Sequence, residues 1–281
     1  MLIHYESQFN ERISQLLLHS SFHLIWGEES EMTFLTVDKD EVVGIGSLWK
    51  NSIHPYRDYI GIYVKPNYRN KGIGQALYDS LSLNSEIKKF QISIQSTNES
   101  ASSFLKKQGF KLARKCYTPI LKEFKSTELG SSSVEGEIIS YGMASKFNQN
   151  EAVELQLGNY IDFHRSINPL QEEITMDQWK EIVLRDLNTE HSKLLLADGT
   201  IVAYLFCYDT DNEEEIEIGY IGGKDIDTIE NYLSFYKGAV EKLHSHYALV
   251  SIEADDVDPY AFTVLNCFKY DADKSLDAYV L

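Results

Sequence analysis

The stretch "YVKPNYRNKGIGQALYDSL", residues 63–81, runs from an apolar β-type segment through a turn into a pattern of helical period. The turn holds Pro66, Arg69, Lys71, Gly72 and Gly74. A strand that feeds a tight turn into a helix gathers several backbone N–H groups at one point, and the helix dipole adds partial positive charge there. Gly72 and Gly74 remove Cβ atoms where an anion must approach closely, while Arg69 and Lys71 offer neutralising charge. A phosphate fits that description. An ordinary strand-to-helix turn with exposed cations fits it too, and "RNKGIG" alone does not separate the two.

Working outward, the upstream segment reads as a short strand ("LIHY"), an amphipathic helix around Glu11 to His19, and two strands joined at Asp38-Lys39-Asp40. The strand "DYIGIYV" then leads into the quoted turn. Downstream come the strand "FQISIQS", a helix around Ser100 to Gln108, and a last strand or two from "GFKLARKCYTPILKE". Residues 126–136, inside the Ser-, Gly- and Glu-rich "FKSTELGSSSVEGE", read as a linker. Beyond it a similar order recurs: "GEIISYGM", helical material from Asn150 to Asn188, strands on either side of Asp198-Gly199, "EIEIGYIG", a helix from Thr228 to His244, "ALVSIEA", a helix over Pro259 to Leu265, and "FKYDADKSLDAYVL". The economical reading is two copies of one architecture, 1–125 and 137–281, in a chain of 281 residues long enough for two cores.

Composition narrows the function classes. At 43% hydrophobic and 25% charged the chain is that of an ordinary globular protein, and disorder is not indicated. No basic-then-apolar leader opens it and no apolar run is long enough to span a bilayer, so a cytoplasmic location is expected and a membrane role is not. Cys116, Cys207 and Cys267 lie far apart, without disulfide or zinc spacing, and read as core hydrophobes. His244-x-His246 lacks further ligands, so no metal is expected. Residues 1–125 hold 16 Lys+Arg against 13 Asp+Glu, which leaves 10 against 30 for the remainder. An acidic second half repels nucleic acid and favours a cationic small molecule, although acidic surfaces also serve solubility alone. Oligomeric state is not legible.

Val64, Pro66, Tyr68, Arg69, Gly72, Gly74 and Leu77 fall on the pattern by which the GNAT (GCN5-related N-acetyltransferase) superfamily binds acetyl-CoA, and the chain resembles that family over residues 1 to about 123. "STNESASSFLKKQGFK" resembles the family's second motif through Asn98, Gly109 and Phe110. The resemblance implies an α+β three-layer sandwich: a mixed, mostly antiparallel sheet flanked by helices, here as two GNAT-like domains in tandem. It implies that the coenzyme A pyrophosphate lies over the amides of about Asn70 to Gln75, that is Asn70, Lys71, Gly72, Ile73, Gly74 and Gln75, with Arg69 and Asn98 nearby. The pantetheine arm would pair with Ile62, Tyr63 and Val64 like an added strand. The Ile62 N–H, or a neighbour's, would hold the thioester oxygen.

The chain departs from the family at Leu105, where many members carry a tyrosine that protonates the leaving thiolate. Tyr117 and water are the remaining candidates for the acid. For the base, Asp58, Glu28, Glu29 and a water chain stand open. In the second half the corresponding turn, "GYIGGKDIDTIE", keeps Gly222, Gly223 and Lys224 but sets Asp225, Asp227 and Glu230 where a pyrophosphate would be repelled, so that half reads as a degenerate repeat. The leading expectation is acetyl transfer from acetyl-CoA to a primary amine by direct attack in a ternary complex. The alternative is a catalytically idle CoA-binding module whose acidic half binds a partner.

Overall fold

The computed structural model describes residues 1–18, 24–125, 134–271 and 274–281. The chain divides into two compact units: Met1–Ile94, Asn98–Ala113 and Ala278–Leu281 form the first, and Gln95–Thr97 with Arg114–Asp277 form the second. Most of the expected linker, 126–133, lies outside the described residues, as does His19 at the end of the first expected helix.

The first unit takes up β1 (Leu2–His4), α1 (Asn10–Leu17), β2 (Met32–Asp38), β3 (Glu41–Trp49), β4 (Asp58–Val64), α2 (Ile73–Asn84), β5 (Phe90–Gln95), α3 (Glu99–Lys107) and the start of β6 (Lys111–Tyr117). Strands β1 to β5 lie side by side in chain order. All neighbours are antiparallel except β4 and β5, which run parallel with α2 as their crossover. The β2–β3 hairpin turns on Lys39 and Asp40, both at positive φ (46° and 67°), the conformation a two-residue hairpin loop requires. Alternation along the strands then sends Leu48, Ile60, Phe90 and Ile92 to the side of α2 and α3, where Tyr78, Leu81, Leu105 and Phe110 close a core. Leu35, Ile45, Trp49 and Tyr63 go to the side of α1 and Ile13.

The second unit repeats the order with β7 (Glu137–Ser140), α4 (Lys146–His164), α5 (Met176–Val183), β8 (Lys193–Ala197), β9 (Thr200–Asp209), β10 (Glu215–Gly223), α6 (Leu233–His244), β11 (Leu249–Ile252), β12 (Ala254–Asp255) and α7 (Pro259–Cys267), followed by the start of β13 (Leu276–Val280). Strands β7 to β11 again neighbour in chain order, with one parallel pair, β10 and β11. The expected helical run from Asn150 to Asn188 is two helices. Thr175 starts the second with a capping box to Gln178, which breaks the run. Helices α6 and α7 cover one face of the sheet and α4 and α5 the other, so each unit is a three-layer sandwich.

The division into units differs from the bounds 1–125 and 137–281 read from the sequence: the units divide at 113/114, inside β6, and the last four residues belong to the first unit. Leu281 and Phe90 exchange both backbone hydrogen bonds (3.0 and 3.1 Å). In the second unit the matching edge of β11 is taken by residues 119–121: Leu121 N–H donates to Val250 O (2.8 Å), Ile252 N–H donates to Pro119 O (3.2 Å), and Ile120 bridges Ser251. A strand's alternation specifies a half-buried edge partner, and two equivalent edges satisfy it equally well.

Candidate functional site

The site grows from how β4 ends. Lys65 N–H donates to Val43 O on β3 (2.9 Å), and antiparallel alternation from that bond turns the N–H groups of Ile62 and Val64 away from β3. On the other side, the parallel register with β5 covers only Asp58↔Phe90 and Tyr59↔Gln91. The strands therefore part beyond Tyr59, and the outward backbone of Ile62 and Val64 borders a wedge.

Past the wedge, residues Pro66–Tyr68 form a 3-10 turn, closed by Arg69 N–H to Pro66 O (3.2 Å). Asn70 and Gly72 both take positive φ (60° and 80°) and bend the chain into α2. Gly72 is the N-cap of α2 in the left-handed region, and no side chain caps the helix. Ala76 N–H is the first to find a partner within the helix, on Gly72 O (3.0 Å), so the preceding amides of Ile73, Gly74 and Gln75 are the donors a helix start leaves over. Arg69 Nε donates to Val64 O (3.0 Å) and pins the turn to the end of β4. Lys71 Nζ lies 4.9 Å from the Tyr68 ring centroid, and Tyr68 OH donates to Asp38 Oδ2 (3.2 Å). The result is an uncapped helix start beside a cationic turn and an open strand edge.

The two glycines have different jobs. A Cβ on Gly72 would meet no atom within 4 Å, so its requirement is the positive φ. A Cβ on Gly74 would sit 3.8 Å from both Phe104 and Val64, an ordinary contact. Gln75 and Gln108 exchange side-chain hydrogen bonds (3.0 and 2.6 Å) that tie α2 to the end of α3. Asn98 caps α3, accepting from Ala101 N–H (3.1 Å).

One expected catalytic side chain, Asp58, is enclosed. Asp58 is 1% exposed at the closed end of the wedge, and Ser85 Oγ donates to its Oδ2 (2.5 Å), so it cannot meet a substrate amine. Tyr117 belongs to the second unit, where its ring packs 5.9 Å from that of Phe262. Glu28 and Glu29 are exposed on a short turn, Gly27–Glu29. Leu105 is buried in the core with Tyr78 and Phe110. Sequence reasoning missed Gln91, buried on β5 with Oε1 unpartnered among the described residues. It also missed Tyr279, whose hydroxyl meets Ser102 Oγ on α3 (2.9 Å). Nothing near residue 279 in the sequence signals a place in the first unit.

The equivalent wedge in the second unit is filled. Lys224 N–H donates to Val202 O (2.9 Å), which aligns Gly223 with Val64. Tyr260 OH and Tyr236 OH donate to the carbonyls of Gly223 (2.9 Å) and Gly222 (3.0 Å), so side chains occupy this backbone. These glycines admit aromatic rings: a Cβ on Gly223 would lie 2.8 Å from the Tyr232 ring. Asp225 Oδ1 accepts from Asp227 N–H (3.0 Å), putting a carboxylate where the first unit leaves amides open.

Residues 29–112 match the family model described as an acetyltransferase (GNAT) domain. The match covers that stretch and not the rest of the chain. No curated protein matches the sequence. Among solved structures, a GCN5-related N-acetyltransferase from Sphaerobacter thermophilus aligns over 100% of this chain and 95% of its own, at 15% identity and TM-score 0.58. A tandem GNAT protein from the clavulanic acid biosynthesis pathway aligns over 100% and 98%, at 11% identity and TM-score 0.54. A GCN5-related glucosamine N-acetyltransferase region of a fungal multi-domain GH3 β-N-acetylglucosaminidase aligns over 100% of this chain, at 11% identity and TM-score 0.64, and the chain spans 38% of that protein. At these identities the likeness is one of fold, and both units share it. The GNAT match takes in the wedge, the turn and α2, and it implies acyl-CoA as the group donor. No helix among the described residues is long and apolar enough to cross a membrane, and none of their His, Cys, Asp and Glu side chains form a metal-binding group.

Proposed function

We propose that the first unit transfers an acetyl group from acetyl-CoA to a primary amine by direct attack in a ternary complex. The uncapped start of α2 at Gly72, beside the unpaired edge of β4, supports this reading. The pyrophosphate would accept from the amides of Ile73, Gly74 and Gln75, and the cations at Arg69 and Lys71 would offset its charge. The pantetheine amides would pair with Ile62 and Val64, and the Ile62 N–H would stabilise the thioester oxygen as it gains charge. The amine nitrogen attacks the carbonyl carbon, the C–S bond breaks, and the thiolate takes its proton from water because Leu105 offers none. With Asp58 enclosed, water or the Glu28–Glu29 turn takes the ammonium proton. The net charge of the second half favours a cationic acceptor.

The test is thiol release from acetyl-CoA over a panel of amines, with coenzyme A calorimetry on the wild type and on Gly72→Val. Expected are amine-dependent thiol release and at least tenfold weaker coenzyme A binding in the variant. Failure of the wild type to bind coenzyme A would overturn the reading. Buried Leu105 supports a second reading, an idle CoA-binding unit. Tight binding with no amine-dependent thiol release would select it.

A further inference from the structure

We propose that the turn at 188–192 in the second unit is a proton-operated latch: protonation of His191 releases it from His246 and Tyr247, beyond α6, and loosens the end of β7. The device is independent of acetyl transfer in the first unit.

Asn188 builds the turn. Its Oδ1 accepts from His191 N–H (2.9 Å), its Nδ2 donates to Asp209 Oδ1 at the end of β9 (2.7 Å), and its carbonyl accepts from Ser192 N–H (2.9 Å). The His191 ring then lies edge-on to the rings of His246 at 5.1 Å and Tyr247 at 5.2 Å. Those two residues are held in place as the chain curls back from α6, both N–H groups donating to Leu243 O (2.9 Å each).

This contact suits a neutral ring. His191 is 9% exposed, and its Nδ1 has no partner among the described residues. An imidazolium carries an N–H on each nitrogen, so a charged donor at Nδ1 would be buried without an acceptor. The groups around it are Glu190 in its own turn, Lys193 on β8, Cys207 and Asp209 on β9, Lys242 on α6, and His246 and Tyr247 after α6. Burial pushes His191 down, Glu190 and Asp209 pull it up, and His246 and Lys193 push it down again, so that the net direction is down. The closed turn therefore binds the proton less tightly than the open one. The stability it adds is present above the ordinary histidine value of about 6.5 and is lost as pH falls through the lowered one.

The same turn carries the exit from β7. Ser192 O accepts from Tyr141 N–H and Thr189 O from Gly142 N–H (2.9 Å each), and a Cβ on Gly142 would come within 3.2 Å of Thr189. Residues Tyr141–Met143 follow β7 directly and lead towards α4, so opening at His191 frees the chain between these elements.

The experiment is hydrogen exchange on the full chain between pH 7.5 and 5.0, with protection corrected for the intrinsic pH dependence of exchange, alongside NMR titration of the histidine rings. His191→Phe keeps a ring that cannot take a proton, and His246→Gln removes a neighbouring cation. Protection at 141–142 and 246–247 is expected to fall at least threefold on acidification in the wild type while β10 keeps its own, to fall less in His246→Gln, and to stay unchanged in His191→Phe. The proposal is overturned if wild-type protection ignores pH, if it falls equally in His191→Phe, or if His191 in the folded chain titrates at or above the ordinary value. Should His191→Phe fail to fold, the wild-type titration and His246→Gln still decide it.

Discussion

Gly72 and Gly74 sit two residues apart in the same motif, and the backbone tells them apart. Gly72 is at φ 80°, where an L-side chain costs roughly 1–2 kcal/mol, while Gly74 has ordinary contact distance for a methyl group. Gly72→Ala is expected to lower the stability of the first unit by about 1 kcal/mol and to weaken coenzyme A binding several-fold, because the open amides of α2 shift with the turn. Gly74→Ala should change either quantity by less than about a factor of three. Thermal melts and calorimetry on the pair check this, and equal effects would show that φ is not what Gly72 supplies. At this scale the sequence marked the turn as the candidate site. It could not reveal that Asp58 is enclosed against Ser85, since a strand's first carboxylate is exposed or buried according to what packs over it.

Among the elements, α7 shows how a helix start is tuned by its surroundings. Asp258 caps it, accepting from the N–H groups of Tyr260 (2.9 Å) and Ala261 (3.2 Å). Burial outweighs those bonds, and the carboxyl is pushed up to about 6. The folded state therefore holds this proton more tightly than the unfolded chain, so the stability it contributes is present below the ordinary aspartate range and is lost as pH rises to about 6. Asp258→Asn keeps an acceptor for the cap and removes the charge. Its stability relative to the wild type should grow by roughly 1–3 kcal/mol between pH 4 and 6 and level off above. Denaturant melts of both proteins across that range decide it, and a difference that ignores pH would refute the argument. The same contrast separates the two phosphate-type turns: α2 begins uncapped at Gly72, whereas Asp225 places a carboxylate after β10.

For the whole molecule, the tail at 278–281 belongs to the first unit. Tyr279 is 3% exposed in the core with Phe90, Ile92 and Leu105, and its hydroxyl reaches Ser102. Tyr279→Ala should cost the first unit about 3–5 kcal/mol, as other buried aromatic truncations do. Tyr279→Phe, which loses only the hydroxyl contact, should cost about 1 kcal/mol. Hydrogen exchange provides the readout: protection should fall in β5 and α3. A fall confined to β10 and β11 would show that the last strand serves the second unit instead.

What the sequence determined by itself was whatever is local. Periodicity set the element order, Asp38-Lys39-Asp40 and Asp198-Gly199 set the hairpins, and the "RNKGIG" turn marked the candidate site, because backbone dihedrals and alternation are properties of neighbouring residues. The tertiary structure alone decided which sheet each tail completes, that Tyr236 and Tyr260 fill the second wedge, and that His191 packs against His246. Those outcomes depend on contacts between residues up to about two hundred positions apart in the chain, and the strand pattern of 276–280 is equally compatible with the edge of β5 and the edge of β11.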